Sequence, residues 1–262
     1  MGDKNISMFK MKPLSTLLLV CAIGLFLSCK SQQVDYSKFM GCNGPVETIT
    51  DMKYYAHYSE GEWVKGQLYG TTIYRFDEIG NLIQEKWIND KGELRRTTTS
   101  DYEDGVMVQQ LESAYYDFQS YDQKLTAKEN DGTLIYEVSY PETTSYGPAT
   151  LKIKKEGKRT ITTFYSATNN DYRRTEYTYD DLGRIIEEKL FSKPDEEPWR
   201  YCRHEYENGF RIRTTMLNGI KGNAEISYSG YDEYGNWIKE SEVNDNSDEH
   251  FLIYREYTYR TK

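Results

Sequence analysis

From Val46 onward, apolar and polar residues alternate over short stretches closed by turn-forming residues, and this period of two predicts β-strands. No stretch of ten or more residues there repeats apolar positions every 3.6 residues between capping signals, so essentially no helix is expected. The clearest unit is Tyr177-Thr178-Tyr179-Asp180-Asp181-Leu182-Gly183-Arg184-Ile185-Ile186-Glu187, two alternating runs around an Asp-x-x-Gly turn. It reads as one β-hairpin. Near-copies at Tyr74–Ile83 and Tyr231–Ile238 make that hairpin the building block.

Turn glycines recur at Gly80, Gly105, Gly132, Gly157, Gly183, Gly209 and Gly235, at steps of 25 to 27 residues. Two strands and two connections fit each step. The chain is therefore expected to be all-β, an antiparallel meander of repeated hairpins with about 14–16 strands, forming an open curled sheet or a barrel. Twist and shear decide between these two, and neither is written in the pattern.

Asp77-Gly80, Asp180-Gly183 and Asp232-Gly235 are expected to be structural turns. The aspartate side chain accepts from a backbone amide two residues on, and glycine supplies a left-handed conformation leading into a bulge. Asp104-Gly105, Glu156-Gly157 and Asn208-Gly209 read as tighter two-residue turns. Longer polar connections, such as 141–148 and 244–249, are expected at the opposite end of the strands. Tyr179 is expected to face Ile185, and Tyr177 to face Glu187. Strict alternation places Tyr74, Phe76, Leu82 and Lys86 on one face with Tyr177, Tyr179, Ile185 and Lys189.

Composition sharpens this picture. The chain is 37% hydrophobic with 25 tyrosines among its 262 residues, so tyrosine is the main core-former. A net charge of -9 with no basic stripe argues against nucleic acid as a partner. Residues 1–28 carry a basic start and an apolar run from Leu14 to Leu27, the proportions of a signal peptide. Residues 29–45 read as a tether and 46–262 as the β domain. Leu25-Phe26-Leu27-Ser28-Cys29 resembles a bacterial lipobox, which implies lipidation at Cys29 and attachment to the membrane by a lipid anchor. Lys30 after it, by resemblance to Gram-negative lipoproteins, points to the outer membrane of the cell envelope.

Cys42 and Cys202 remain in the domain, compatible either with a disulfide or with two separate thiols. Neither stands at ligand spacing from another cysteine or from a histidine, so no metal site and no cofactor is expected. Glu187 and Glu188 are adjacent on a strand and point to opposite faces, which speaks against an acid/base pair. Asn244–Glu249 lacks the glycine and distal glutamate of an EF-hand and reads as a solvated acidic loop.

The unit Tyr177–Arg184 resembles the YD repeat of Rhs-type proteins, an aromatic-x-Tyr-Asp-x-x-Gly followed by Arg or Asn and an aliphatic residue. Tyr74–Leu82 and Tyr231–Trp237 are similar with single departures. The resemblance implies a repeated β-sheet and little about activity.

The expected function is an envelope lipoprotein with a binding or structural role through its tyrosine-rich sheet, with a glycan or an envelope protein as partner. Tyr74, Phe76, Tyr177, Tyr179, Tyr231 and Trp237 are the candidate ligand-facing aromatics. No catalytic residue is assigned. The alternatives are an enzyme with a site assembled from distant loops, or, from the resemblance alone, an accessory or immunity protein of an Rhs-like system.

Overall fold

The computed structural model describes residues 40, 42–115, 120–141, 147–168, 171–194, 196–218, 222–245 and 250–261. Its sixteen strands are β1 (Val46–Ser59), β2 (Glu62–Phe76), β3 (Leu82–Asn89), β4 (Leu94–Glu103), β5 (Val106–Ala114), β6 (Tyr121–Lys128), β7 (Leu134–Ser139) and β8 (Ala149–Glu156), followed by β9 (Arg159–Ser166), β10 (Asp171–Tyr179), β11 (Ile185–Phe191), β12 (Arg200–Glu207), β13 (Phe210–Asn218), β14 (Gly222–Tyr231), β15 (Trp237–Asn244) and β16 (His250–Tyr259). Each pairs with its sequence neighbours, and β1 pairs with β16 from Val46↔Tyr259 to Ala56↔His250. The meander is thus a closed antiparallel barrel, which leaves no terminal strand with an unpaired edge along its whole length.

The Asp-x-x-Gly turns gather at one end. Asp180 Oδ1 accepts from the amides of Leu182 and Arg184, and the Gly183 amide donates to the Asp180 carbonyl. Asp77 and Asp232 repeat these bonds with Ile79 and Asn81, and with Tyr234 and Asn236. Gly183 has φ of 79°, the left-handed value the turn demands. A fourth copy, with asparagine at its first position, closes β3 to β4 at the other end. There Asn89 Oδ1 accepts from the amides of Lys91 and Glu93, so asparagine does the work of aspartate.

The two-residue turns Asp104-Gly105 and Asn208-Gly209 have positive φ at both positions, as expected of tight hairpin loops. The third differs by one residue. Glu156 pairs with Arg159, so its loop is Gly157-Lys158.

Strict alternation fails one residue past the turn. Tyr179 faces Ile185, but Tyr177 faces Glu188, not Glu187, because Ile186 is an extra residue in β11. Likewise Phe76 faces Leu82 while Tyr74 faces Glu85, with Ile83 extra in β3. A bulge shifts the face of everything beyond it. Lys86 and Lys189, expected beside the tyrosines, are displaced to the opposite face, and Glu85 and Glu188 take their places.

The interior therefore has an apolar part and a polar part. Ile49, Phe76, Leu82, Met107, Tyr136 and Leu151 belong to one buried core drawn from eight strands. Beside them Glu85, Thr98, Gln110, Glu112 and Gln123 are buried as well. The outer wall carries ion pairs along its strands, among them Glu187–Arg203 at 3.3 Å and Arg213–Glu225 at 3.2 Å.

Closure is secured where the domain's two termini meet. Asn236 bonds both the amide and the carbonyl of Asn43 and donates to Tyr259 Oη at 2.7 Å. Arg260 donates to the carbonyls of Phe76 and Asp77, and its amide to the carbonyl of Pro45. Gly44, at φ of 84°, lies so close to the Tyr234 ring that a Cβ would stand 2.7 Å from it.

Candidate binding groove on the outer wall

The seam between β1 and β16 brings together residues about 200 positions apart in sequence. The register sets Met52 opposite Tyr254 and Tyr54 opposite Leu252, and a strand's period of two sends Met52, Tyr54, Tyr254 and Glu256 to one side. The other side holds Asp51 and Arg255, whose guanidinium grips the carboxylate twice, at 2.6 and 2.5 Å. That pair is buried and faces the Trp237 ring, so the Met52–Tyr254 side is the outer wall.

On this outer face the rings of Tyr54 and Tyr254 meet edge to face with centroids 5.8 Å apart. Lys65 from β2 places Nζ 3.8 Å from the centroid of Tyr54 and 5.1 Å from that of Tyr254. Lys239 from β15 lies 5.9 Å from Tyr254. Farther along the seam Trp63 packs on His250 at 4.3 Å and on Tyr58 at 5.3 Å. A cavity of about 710 Å³ follows β16, lined by Met52, Tyr54, Lys65, Ile238, Tyr254 and Glu256, with Asp232 and Tyr259 at its turn end and Arg255 and Tyr257 also in its wall; Lys239 stands beside the Tyr254 ring, outside that lining. Neither Lys65 nor Lys239 has an ion-pair partner among the described residues. Such a groove offers a ligand apolar ring surface, the Lys65 ammonium and carboxylates, with a second ammonium, that of Lys239, beside the Tyr254 ring.

The interior offers a different chemistry. Arg96 Nη2 bonds Glu85 at 2.7 Å, and its Nε stands 4.0 Å from Glu112. Burial pushes the Glu112 carboxyl up to about 7 against the pull of Arg96, and raises Glu85 for the same reason. Burial likewise pushes His204 down to about 4. These groups are walled in by the barrel. Among the described residues no group of three metal-binding side chains converges.

Most of the expected ligand-facing aromatics lie inside. Phe76, Tyr177, Tyr179 and Trp237 are buried, and Tyr74 packs against the core. Of the six only Tyr231, 53% exposed, lies open to solvent. The reason is closure: the face that carries Phe76, Tyr177, Tyr179 and Trp237 becomes the barrel's inside, whereas an open sheet could have left it wet.

Asp77, Gly80, Asp180, Gly183, Asp232 and Gly235 stand in their turns. Cys42 and Cys202 are two separate buried thiols, Cys42 near the meeting termini and Cys202 on β12 opposite Glu188. Glu187 and Glu188 are divided by the wall. Glu187 is held below its usual range by Tyr201 and Arg203, while burial raises Glu188. Cys29 and residues 246–249 of the acidic loop lie outside the described residues, and Asp245 accepts two bonds from Asn223.

Nothing local in the sequence marks the groove. Tyr54, Lys65 and Tyr254 stand in three strands of ordinary alternation, and only their register joins them.

No family model and no curated protein matches the chain. Among solved structures it is similar to a porin-like protein from Bacteroides vulgatus, at 12% identity and a TM-score of 0.44 over 81% of this chain and 98% of the other. A porin-like protein from Bacteroides uniformis matches at 13% identity and a TM-score of 0.35, over 82% of this chain and 98% of the other. A putative outer membrane lipoprotein-sorting protein domain from Vibrio parahaemolyticus matches at 9% identity and a TM-score of 0.25, over 87% and 92%. Likenesses this distant carry no argument about function.

Proposed function

We propose that this chain is a bacterial envelope lipoprotein, anchored by lipid at Cys29, whose water-facing barrel binds a glycan in the groove along the β1–β16 seam. The observation that carries the reading is the convergence of Tyr54, Tyr254 and Lys65 on the outer face, in a cavity of about 710 Å³. Planar phenol rings offer the apolar face of a sugar a large contact area at little entropic cost, and neighbouring charged groups can bond its hydroxyls. The Leu14–Leu27 run followed by Cys29 supports the anchor.

The wall supports a barrel held in water. A lipid-facing barrel needs an outward apolar band about 25 Å tall, in which charged residues are costly. Here the outward positions include the ion pairs Asp122–Lys124, Glu187–Arg203 and Arg213–Glu225. Tethering needs no such band.

Two measurements test the proposal. Labelled palmitate should enter the wild-type chain and not Cys29→Ser; labelling of both would remove the anchor at Cys29. The full chain in non-ionic detergent should bind members of a glycan array, and Tyr254→Ala should lower that binding at least about tenfold, the equivalent of one good contact. An empty array, with wild type and variant alike, would overturn the glycan reading.

A further inference from the structure

We infer that the groove takes an anionic saccharide, its acidic group seated on Lys65 and Lys239 and its ring against Tyr54 and Tyr254. This rests on the groove being the glycan-binding surface.

The first ground is the state of these two lysines. In a chain of net charge -9, Lys53, Lys124, Lys154, Lys158, Lys189 and Lys193 each pair with a carboxylate, whereas Lys65, Lys86, Lys91, Lys128, Lys152, Lys155 and Lys239 have no ion-pair partner among the described residues. Of the unpaired ones, Lys65 and Lys239 converge on a single ring, that of Tyr254. A ring face steadies an ammonium through its quadrupole without taking up its N–H donors. Both heads therefore keep donors free for an anion.

Charge is also distributed along the groove. Glu256 lies two residues beyond Tyr254 on the same side of β16, about 7 Å at strand spacing, and Asp232 lines the turn end. Arg255 in the same lining is neutralised by its two bonds to Asp51, so the turn end is left negative and Lys65 supplies positive charge away from it. An acidic ligand can seat in one direction only, with its anion at Lys65 and Lys239 and its neutral hydroxyls toward Glu256.

Size and lining favour a sugar over a bare anion. The cavity of about 710 Å³ is much larger than a phosphate or sulfate needs, and Met52, Ile238 and the two tyrosines give it apolar surface. A uronate-bearing, sialate-bearing or phosphate-bearing saccharide supplies both an anion and C–H faces. The same chemistry occurs in a soluble glycan and in the headgroup of an acidic glycolipid.

The test uses the full chain in non-ionic detergent against acidic saccharides of these three kinds, their neutral counterparts, inorganic phosphate, and vesicles bearing an acidic phospholipid. Acidic saccharides should bind at least about tenfold more tightly than neutral ones, a difference of ~1.4 kcal/mol. Lys65→Gln and Lys239→Gln should each weaken that binding severalfold. Glu256→Gln should strengthen it, and added salt should weaken it. Equal binding of acidic and neutral saccharides, unaffected by Lys65→Gln but lost in Tyr254→Ala, would overturn the anion and leave the glycan groove standing. No saccharide binding at all would overturn both. Binding of inorganic phosphate or phospholipid vesicles as tightly as any saccharide would overturn the saccharide, and binding of the soluble acidic saccharides in the absence of vesicles would assign the site to the glycan itself.

Discussion

Tyr206 Oη donates a 2.8 Å hydrogen bond to the carbonyl of Ile185, the residue just before the bulge in β11. Tyr102 does the same for Leu82 and Tyr257 for Trp237, each from one strand farther along the barrel. The tyrosine recurs because the need recurs: irregularity after the turn withdraws a carbonyl from the ladder, and a phenol hydroxyl satisfies it. Tyr206→Phe should cost about 1–2 kcal/mol, the penalty of an unsatisfied carbonyl. Denaturant titration checks this, and an unchanged midpoint would show that the bond stabilises nothing.

Asp51 and Arg255 join the first strand to the last inside the barrel. Removing one partner of a buried pair strands the other charge, so Asp51→Asn or Arg255→Met should destabilise by about 3–5 kcal/mol. The double variant Asp51→Leu/Arg255→Met should recover much of that loss, since no unpaired charge is left. Chemical denaturation of the three variants gives the comparison. A double variant as unstable as the sum of the single ones would contradict it.

Glu112 gives a pH dependence of definite sign. Its folded-state pKa of about 7 stands above the ordinary glutamate value of 4.5, so the folded chain holds the proton more tightly than the unfolded one. The contribution to stability is full below pH 4.5 and falls as pH rises toward 7. Glu112→Gln, which keeps the shape without the charge, should remove this fall and stabilise at pH 8, by at most roughly 3 kcal/mol at 1.36 kcal/mol per pKa unit. Denaturant midpoints of variant and wild type from pH 4 to 8 should diverge as pH rises, and parallel curves would exclude Glu112 as the cause.

Gly183 tests the turn. A side chain at its φ of 79° meets the strain of left-handed backbone, so Gly183→Val should cost at least about 1–2 kcal/mol and Gly183→Asn less. Leu182→Ala next to it, 77% exposed, should change the thermal midpoint little. Equal effects of the three substitutions would contradict the turn geometry.

Much of the wall was legible because its causes are local. Asp180 and Gly183 specify their turn through bonds spanning four residues, and Asn208-Gly209 needs only its own backbone angles. The turn Asn89–Glu93 has the same local bonds with asparagine in place of aspartate, and only the structure showed it. The bulges were harder. Ile83 and Ile186 look like ordinary strand residues, yet they carry Glu85 and Glu188 from the expected outer face into the interior, where neighbouring strands bury them.

By itself the sequence determined that the chain is all-β, that its unit is a hairpin of about 26 residues, and where the Asp-x-x-Gly turns fall, because periodicity and turn chemistry act over a few residues. Tertiary structure alone decided that β1 meets β16. Twist and stagger summed over sixteen strands set that closure, and no short stretch of sequence records the sum. Closure then determined which face of every hairpin is dry. It buried Tyr177 and Tyr179 beside their turn and brought Tyr54, Lys65 and Tyr254 together on the outer wall.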